Sequence, residues 1–184
     1  LKEGNIYGLV GNNGSGKTML MKCMCGFIRP TEGTVESNGK VIGRDVDYLP
    51  DAGVIIETPG FIPYYSGFQN LKVLAGIKNK ISAKEIREAI QTVGLDPDLK
   101  LPVKKYSLGM RQRLGLAQAI MENPSVLILD EPMNGLDKNG VEEIRKLLLF
   151  MKDERKIIVI ASHNTEDIRV LCDEVHEMEQ GELI

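Results

Sequence analysis

Gly11-Asn12-Asn13-Gly14-Ser15-Gly16-Lys17-Thr18 is the stretch on which the fold turns. It fits the pattern GxxxxGK[ST], follows the apolar run Ile6–Val10 and opens a helical pattern over 17–27. A glycine-rich turn between a buried strand and a helix lets successive backbone N–H groups converge on an anion at the helix amino end, where the dipole is positive. Lys17 adds a full positive charge for the β and γ oxygens of a nucleotide, and Thr18 offers a hydroxyl ligand for Mg2+. A glycine-rich helix cap that binds nothing is the competing reading. The strand before the turn and the helix after it weigh against that reading.

Two more runs, 126–129 and Ile157–Ala161, are as dense in branched apolar residues as Ile6–Val10 and read as strands buried on both faces. Helical patterns over 17–27, 66–76, 82–93, 108–121, 140–151 and 165–171 alternate with them. The expected class is therefore α/β, a mainly parallel sheet flanked by helices. Ser66 with Gln69, and Ser82 with Glu85, have the spacing of capping boxes and mark two helix starts. The segment from about 66 to 106 holds helices but no buried-strand run. It reads as a helical subdomain inserted into a core made of about 1–65 and 107–184.

The chain has 184 residues, 42% of them hydrophobic and 27% charged, the make-up of one domain with a sizeable core. With 23 Lys and Arg against 26 Asp and Glu, the net charge of -3 provides no electrostatic footprint for a nucleic acid. Three cysteines without CxxC spacing point away from a disulfide framework or zinc site and toward a reducing compartment. No apolar run reaches the roughly 18 to 20 residues that span a bilayer, so a membrane role is expected to be peripheral.

The run 126–129 ends in Asp130-Glu131-Pro132, two carboxylates at the carboxyl end of a buried strand, where open α/β sheets bind their ligands. Asp130 is expected to hold Mg2+ through its water shell, which frees Glu131 to orient or deprotonate the attacking water. Two acids after a strand are often only a solvated turn, and the phosphate loop is what tips the balance. His163 follows Ile157–Ala161 and so lies at another strand end, within reach of a γ-phosphate or water.

Tyr106-Ser107-Leu108-Gly109-Met110-Arg111-Gln112-Arg113 resembles the signature loop of the ABC ATPases. Pro30-Thr31-Glu32-Gly33, the turn Asn134-Gly135-Leu136-Asp137 and His163 as switch histidine follow the same family order, and the resemblance covers essentially the whole chain. It implies an ATP-binding and ATP-hydrolysing subunit of a transporter at the cytoplasmic side of a membrane, working with a multi-span permease. It implies a second ABC ATPase domain packed head to tail, as homodimer or heterodimer, with ATP between one phosphate loop and the other's Ser107 and Gly109, and Asp137 aligning the halves. A soluble ABC switch without transport is the alternative, and a GTPase is disfavoured because Ser82 replaces the aspartate of an NKxD pattern at Asn79-Lys80-Ile81-Ser82.

The signature departs from the common Ser-Gly-Gly-Gln while keeping Ser107 and Gly109. Where the family usually has a glutamine touching Mg2+, this chain has Glu57, an oxygen ligand that adds charge. Glu57-Thr58-Pro59-Gly60-Phe61 together with Ser107-Leu108-Gly109-Met110-Arg111 is similar to the ATPases of bacitracin and lantibiotic export and self-protection transporters. The family's antiparallel strands with an adenine-stacking aromatic are expected ahead of residue 1, and Tyr7 sits too near the loop to replace that aromatic. The Met and Cys cluster on the first helix reads as packing. Phe61, Tyr64, Tyr65 and Phe68 read as a platform for a permease, with ordinary packing at the subdomain junction as the alternative.

Overall fold

The three apolar runs lie side by side at the centre of one sheet. In chain order the computed structural model, which describes residues 1–184, runs β1 (Ile6–Val10), α1 (Lys17–Cys25), β2 (Glu36–Ser37), β3 (Lys40–Val41), β4 (Ala52–Ile55), α2 (Gly67–Lys78), α3 (Ala83–Thr92), α4 (Leu108–Ile120), β5 (Val126–Asp130), α5 (Lys138–Asp153), β6 (Ile157–Ala161), α6 (Thr165–Leu171), β7 (Glu174–Glu179) and β8 (Glu182–Leu183). The main sheet has the order β4-β5-β6-β1-β7-β8. Only β8 runs antiparallel, as a hairpin with β7. β2 and β3 form a small antiparallel ribbon of their own.

Alternate residues of each central strand enter opposite cores, as strand geometry requires. Ile6, Leu127, Leu129, Ile158 and Ile160 join one cluster with Leu71, Ile86, Leu114 and Leu148. Tyr7, Leu9, Ile128 and Val159 join a second, covered by Met21 and Cys25 of α1. Each such Leu or Ile contributes about 1.5 to 3 kcal/mol of burial free energy. The first cluster includes Leu71 and Ile86, so α2 and α3 pack into the same core as the sheet. Met21 and Cys25 are buried while Met19 is exposed, which is the packing expected of one helix face. Burial also pushes the Cys25 thiol up to about 12, away from the reactive thiolate.

The capping boxes at Ser66 and Ser82 are both formed. Other limits shift for physical reasons. α1 stops at Cys25 because Gly26 turns left-handed (φ 82°), and a Cβ there would meet the Asp47 carbonyl at 2.6 Å. α5 begins at Lys138, earlier than the pattern suggested, because Asp137 caps it.

β4 and β7 were not legible as strands. β4 is four residues with a glycine at its second position, and that glycine is required where a Cβ would come within 2.0 Å of the Ala119 carbonyl. β7 reads as a charged stretch because only Met178 in it is buried; its pairing with β1 comes from the tertiary fold. No helix is long and apolar enough to cross a membrane.

The parallel register aligns the carboxyl ends. Asp130 pairs with Ala161, Ile55 with Leu129 and Leu9 with Ala161. Hence Gly11, Glu57, Glu131 and His163 all leave the sheet along one edge, although they are scattered through the sequence.

Candidate nucleotide-binding site

Gly16 opens α1 in a left-handed conformation (φ 109°), with no side-chain cap and no acidic residue in the first turn. The amino-terminal N–H groups are thus free for an anion. β7 shapes the loop from behind: a Cβ on Gly11 (φ 146°) would lie 2.2 Å from the Met178 carbonyl. The Gly181 amide also donates to the Ser15 carbonyl at 3.0 Å. Lys17 Nζ donates to the carbonyls of Gly11 at 2.7 Å and Asn12 at 3.0 Å, and lies 3.4 Å from Ser15 Oγ. The ammonium is therefore tethered over the loop.

Thr18 Oγ1 donates to Asp130 Oδ2 at 2.8 Å across 112 positions of sequence. This contact joins the phosphate loop to the acidic pair. A hydroxyl and a carboxylate side by side are the hard oxygen donors that Mg2+ takes, so the residues present fit that ion. Glu57 lines the same cleft, but its Oε1 accepts from Lys22 Nζ at 2.6 Å in an ion pair with α1. The expectation of a metal ligand missed this partner. Lys22 stands four residues after Thr18 on one helix face, but nothing in the sequence pairs it with Glu57.

Glu131 Oε1 accepts from the His163 amide at 2.9 Å and lies 2.8 Å from His163 Nδ1. His163 is therefore paired to the carboxylate rather than turned alone into the cleft. Its loop is fixed by Asn164, which donates its amide to Ser162 Oγ at 3.1 Å and caps α6 through the Glu166 amide at 2.9 Å. The buried pair of Arg145 and Asp167 ties α6 to α5 behind it. Both Glu57 (φ 60°) and Glu131 (φ 50°) hold left-handed backbones, which costs about 1 to 3 kcal/mol for a non-glycine residue and is common where function dictates geometry.

The cleft encloses about 480 Å3 between the loop, Glu57 to Pro59, the acidic pair and Leu108, Arg111 and Gln112 of α4. Those three lie at i, i+3 and i+4 on one face. Arg111 and Gln112 stood inside the quoted signature without a role.

Ser107 caps α4, its Oγ accepting the Met110 amide at 3.1 Å, and its side chain is exposed. Asp137 caps α5 through the Gly140 amide at 2.9 Å. The two loops touch: a Cβ on Gly109 would meet the Gly135 carbonyl at 2.8 Å, and one on Gly135 (φ 75°) would meet Leu108 at 2.5 Å. Ser107, Gly109 and Asp137 thus lie on adjoining turns. Gly109→Ala should push these turns apart, at about 1 to 3 kcal/mol of overpacking, and lower turnover more than melting temperature. ATPase assays beside thermal melts check it; wild-type turnover would contradict the close contact.

The profile of the ABC transporter family matches residues 1–134. The chain is 42% identical over 184 residues to the bacitracin transport ATP-binding protein BcrA of Enterococcus faecalis, covering 99% of this chain and 60% of that protein. It is 36% identical over 184 residues to the lantibiotic transport ATP-binding protein SrtF of Streptococcus pyogenes, covering 100% and 79%. It thus spans less than two thirds of BcrA and most of SrtF. The dimeric structure of MJ0796, a bacterial ABC transporter cassette, superposes with a TM-score of 0.89 at 23% identity, over 100% of this chain and 84% of that one, which confirms the fold. Through its phosphate loop, acidic pair and signature helix, and by these matches, the chain belongs to the ABC transporter family as an ATP-binding domain.

Proposed function

We propose that this chain binds MgATP and hydrolyses it to ADP and phosphate as the motor subunit of a transporter, at sites shared by two ATPase domains packed head to tail. The contact of Thr18 with Asp130 carries the reading, because it sets a hydroxyl and a carboxylate side by side at the mouth of an uncapped helix. Mg2+, when bound, supplies positive charge to the β and γ oxygens. The amides of Gly11, Asn12, Asn13, Gly14, Ser15 and Gly16, together with Lys17, bind the phosphates, and Thr18 and Asp130 would hold the metal. Glu57, now paired with Lys22, would add a further oxygen ligand. Glu131 takes the proton of the attacking water, and His163 fixes one oxygen of that carboxylate while standing beside the γ-phosphate position.

Ser107 and the Gly109 amide, at the amino end of α4, supply donors to the nucleotide of the facing subunit, and Asp137 aligns the two copies. A multi-span permease is the membrane partner, with this domain peripheral on its cytoplasmic side. The helical subdomain of about 66–106 is its docking side. Tyr64, Tyr65, Val73 and Ile77 are exposed there, whereas Phe61 and Phe68 turn inward against the core. The names of BcrA and SrtF, which speak of bacitracin and lantibiotic transport, favour transport of an antimicrobial peptide or antibiotic and leave the soluble switch without support.

Phosphate release from MgATP tests the shared site. Specific activity should climb with protein concentration, because one copy lacks the facing Ser107. Full specific activity at high dilution, in a protein shown to be monomeric there, would overturn the head-to-tail arrangement.

A further inference from the structure

Glu131 is held from three sides. Its amide donates to the Ala161 carbonyl at 2.9 Å, and its Oε1 is bound by His163. The third restraint comes from α4. Gln112 Nε2 donates to the carbonyls of Glu131 and Pro132, both at 3.1 Å. Two carbonyl acceptors leave only one sensible orientation of the amide, with its NH2 group toward them. The Glu131 carbonyl also accepts the Asn134 amide at 3.1 Å, so the peptide after the acid is fixed from both the turn and the helix.

That peptide needs fixing. Glu131 sits at φ 50°, a region a glutamate avoids unless its surroundings enforce it. Relaxation toward an ordinary conformation would swing the side chain away from the cleft that Asp130 and Lys17 line.

We propose that Gln112 is a positioning residue for Glu131: by clamping the carbonyls of Glu131 and Pro132, it holds the carboxylate in its strained, productive conformation. Because Gln112 rides one turn into the helix that begins with Ser107 and Gly109, the seating of that helix end is transmitted to the carboxylate of the same chain. On the head-to-tail reading, on which this inference rests, that helix end meets the partner's nucleotide. Occupancy of one site then tunes water activation in the other.

The test uses the full-length ATPase with Gln112→Met, which keeps length and loses the donors, and Gln112→Glu, which turns a carboxylate toward two carbonyls. Both should lower kcat about 10- to 100-fold, the scale of a small misplacement of a reacting group, with KM for ATP and equilibrium binding of a fluorescent ATP analogue within about threefold of wild type. The pair Gln112→Met with Glu131→Gln should turn over no more slowly than Glu131→Gln alone, since Gln112 acts through Glu131.

Unchanged kcat, a rise in KM alone, or a double variant slower than Glu131→Gln would each overturn the proposal. So would failure of both single variants to fold, because that would make Gln112 an architectural residue. Wild-type turnover by Glu131→Gln would instead sink the assignment of the base itself, whatever the Gln112 variants do.

Discussion

Glu131→Gln should leave MgATP bound and reduce turnover by about 100- to 10,000-fold, the range expected when a general base is lost. The amide keeps the shape of the carboxylate, and its oxygen can still accept from the His163 amide, so the local fold is preserved. What disappears is the negative charge that draws a proton from water. On the proposed assignment the phosphates are bound elsewhere, by the loop amides and Lys17, so that binding should be untouched. Phosphate release under saturating MgATP, beside equilibrium binding of a fluorescent ATP analogue, separates the two effects. Retained turnover would remove Glu131 from the chemistry, and lost binding would mean that the substitution disturbed the cleft instead.

Lys17→Ala should act one step earlier, on binding. Hydrogen bonds to charged groups contribute about 1.5 to 3 kcal/mol, so loss of the ammonium lowers affinity for ATP by roughly tenfold to a hundredfold or more. The structure adds a second cost. Lys17 Nζ occupies the carbonyls of Gly11 and Asn12, and without it two negative dipole ends stand unpaired at the mouth where phosphate arrives. Equilibrium binding and the loss of stabilisation by ATP in a thermal melt check this outcome, since a ligand that no longer binds no longer raises the melting temperature. Affinity equal to wild type would contradict the placement of the phosphates.

Most of the candidate site could be read in advance because its residues sit in local patterns. Gly11 to Thr18 need only a strand before and a helix after. Asp130 and Glu131 announce themselves by ending an apolar run, and Ser107 by preceding a helix. Gln112 and Lys22 could not be ranked the same way. A glutamine or lysine on a helix is ordinary in sequence, and each matters here only through what faces it: the Glu131 and Pro132 carbonyls for one, Glu57 for the other. The left-handed backbones of Glu57 and Glu131 were equally hidden, since neither residue type signals positive φ.

Strands separate along the same line. Ile6–Val10 and Ile157–Ala161 are apolar enough to be buried on both faces wherever they go, so their place at the centre of the sheet is written in their composition. Glu174–Glu179 carries three glutamates in six residues, and nothing local makes it a strand; it becomes one because β1 offers an open edge. The sequence by itself determined the phosphate loop, the class of the sheet and the kind of chemistry its acids suit, because each depends on neighbours within a few positions. Only the tertiary structure decided that Thr18 meets Asp130, that His163 holds Glu131, and that α4 reaches back to clamp it. Such contacts are set by strand order and register, and these follow from burying the whole core at once rather than from any one segment.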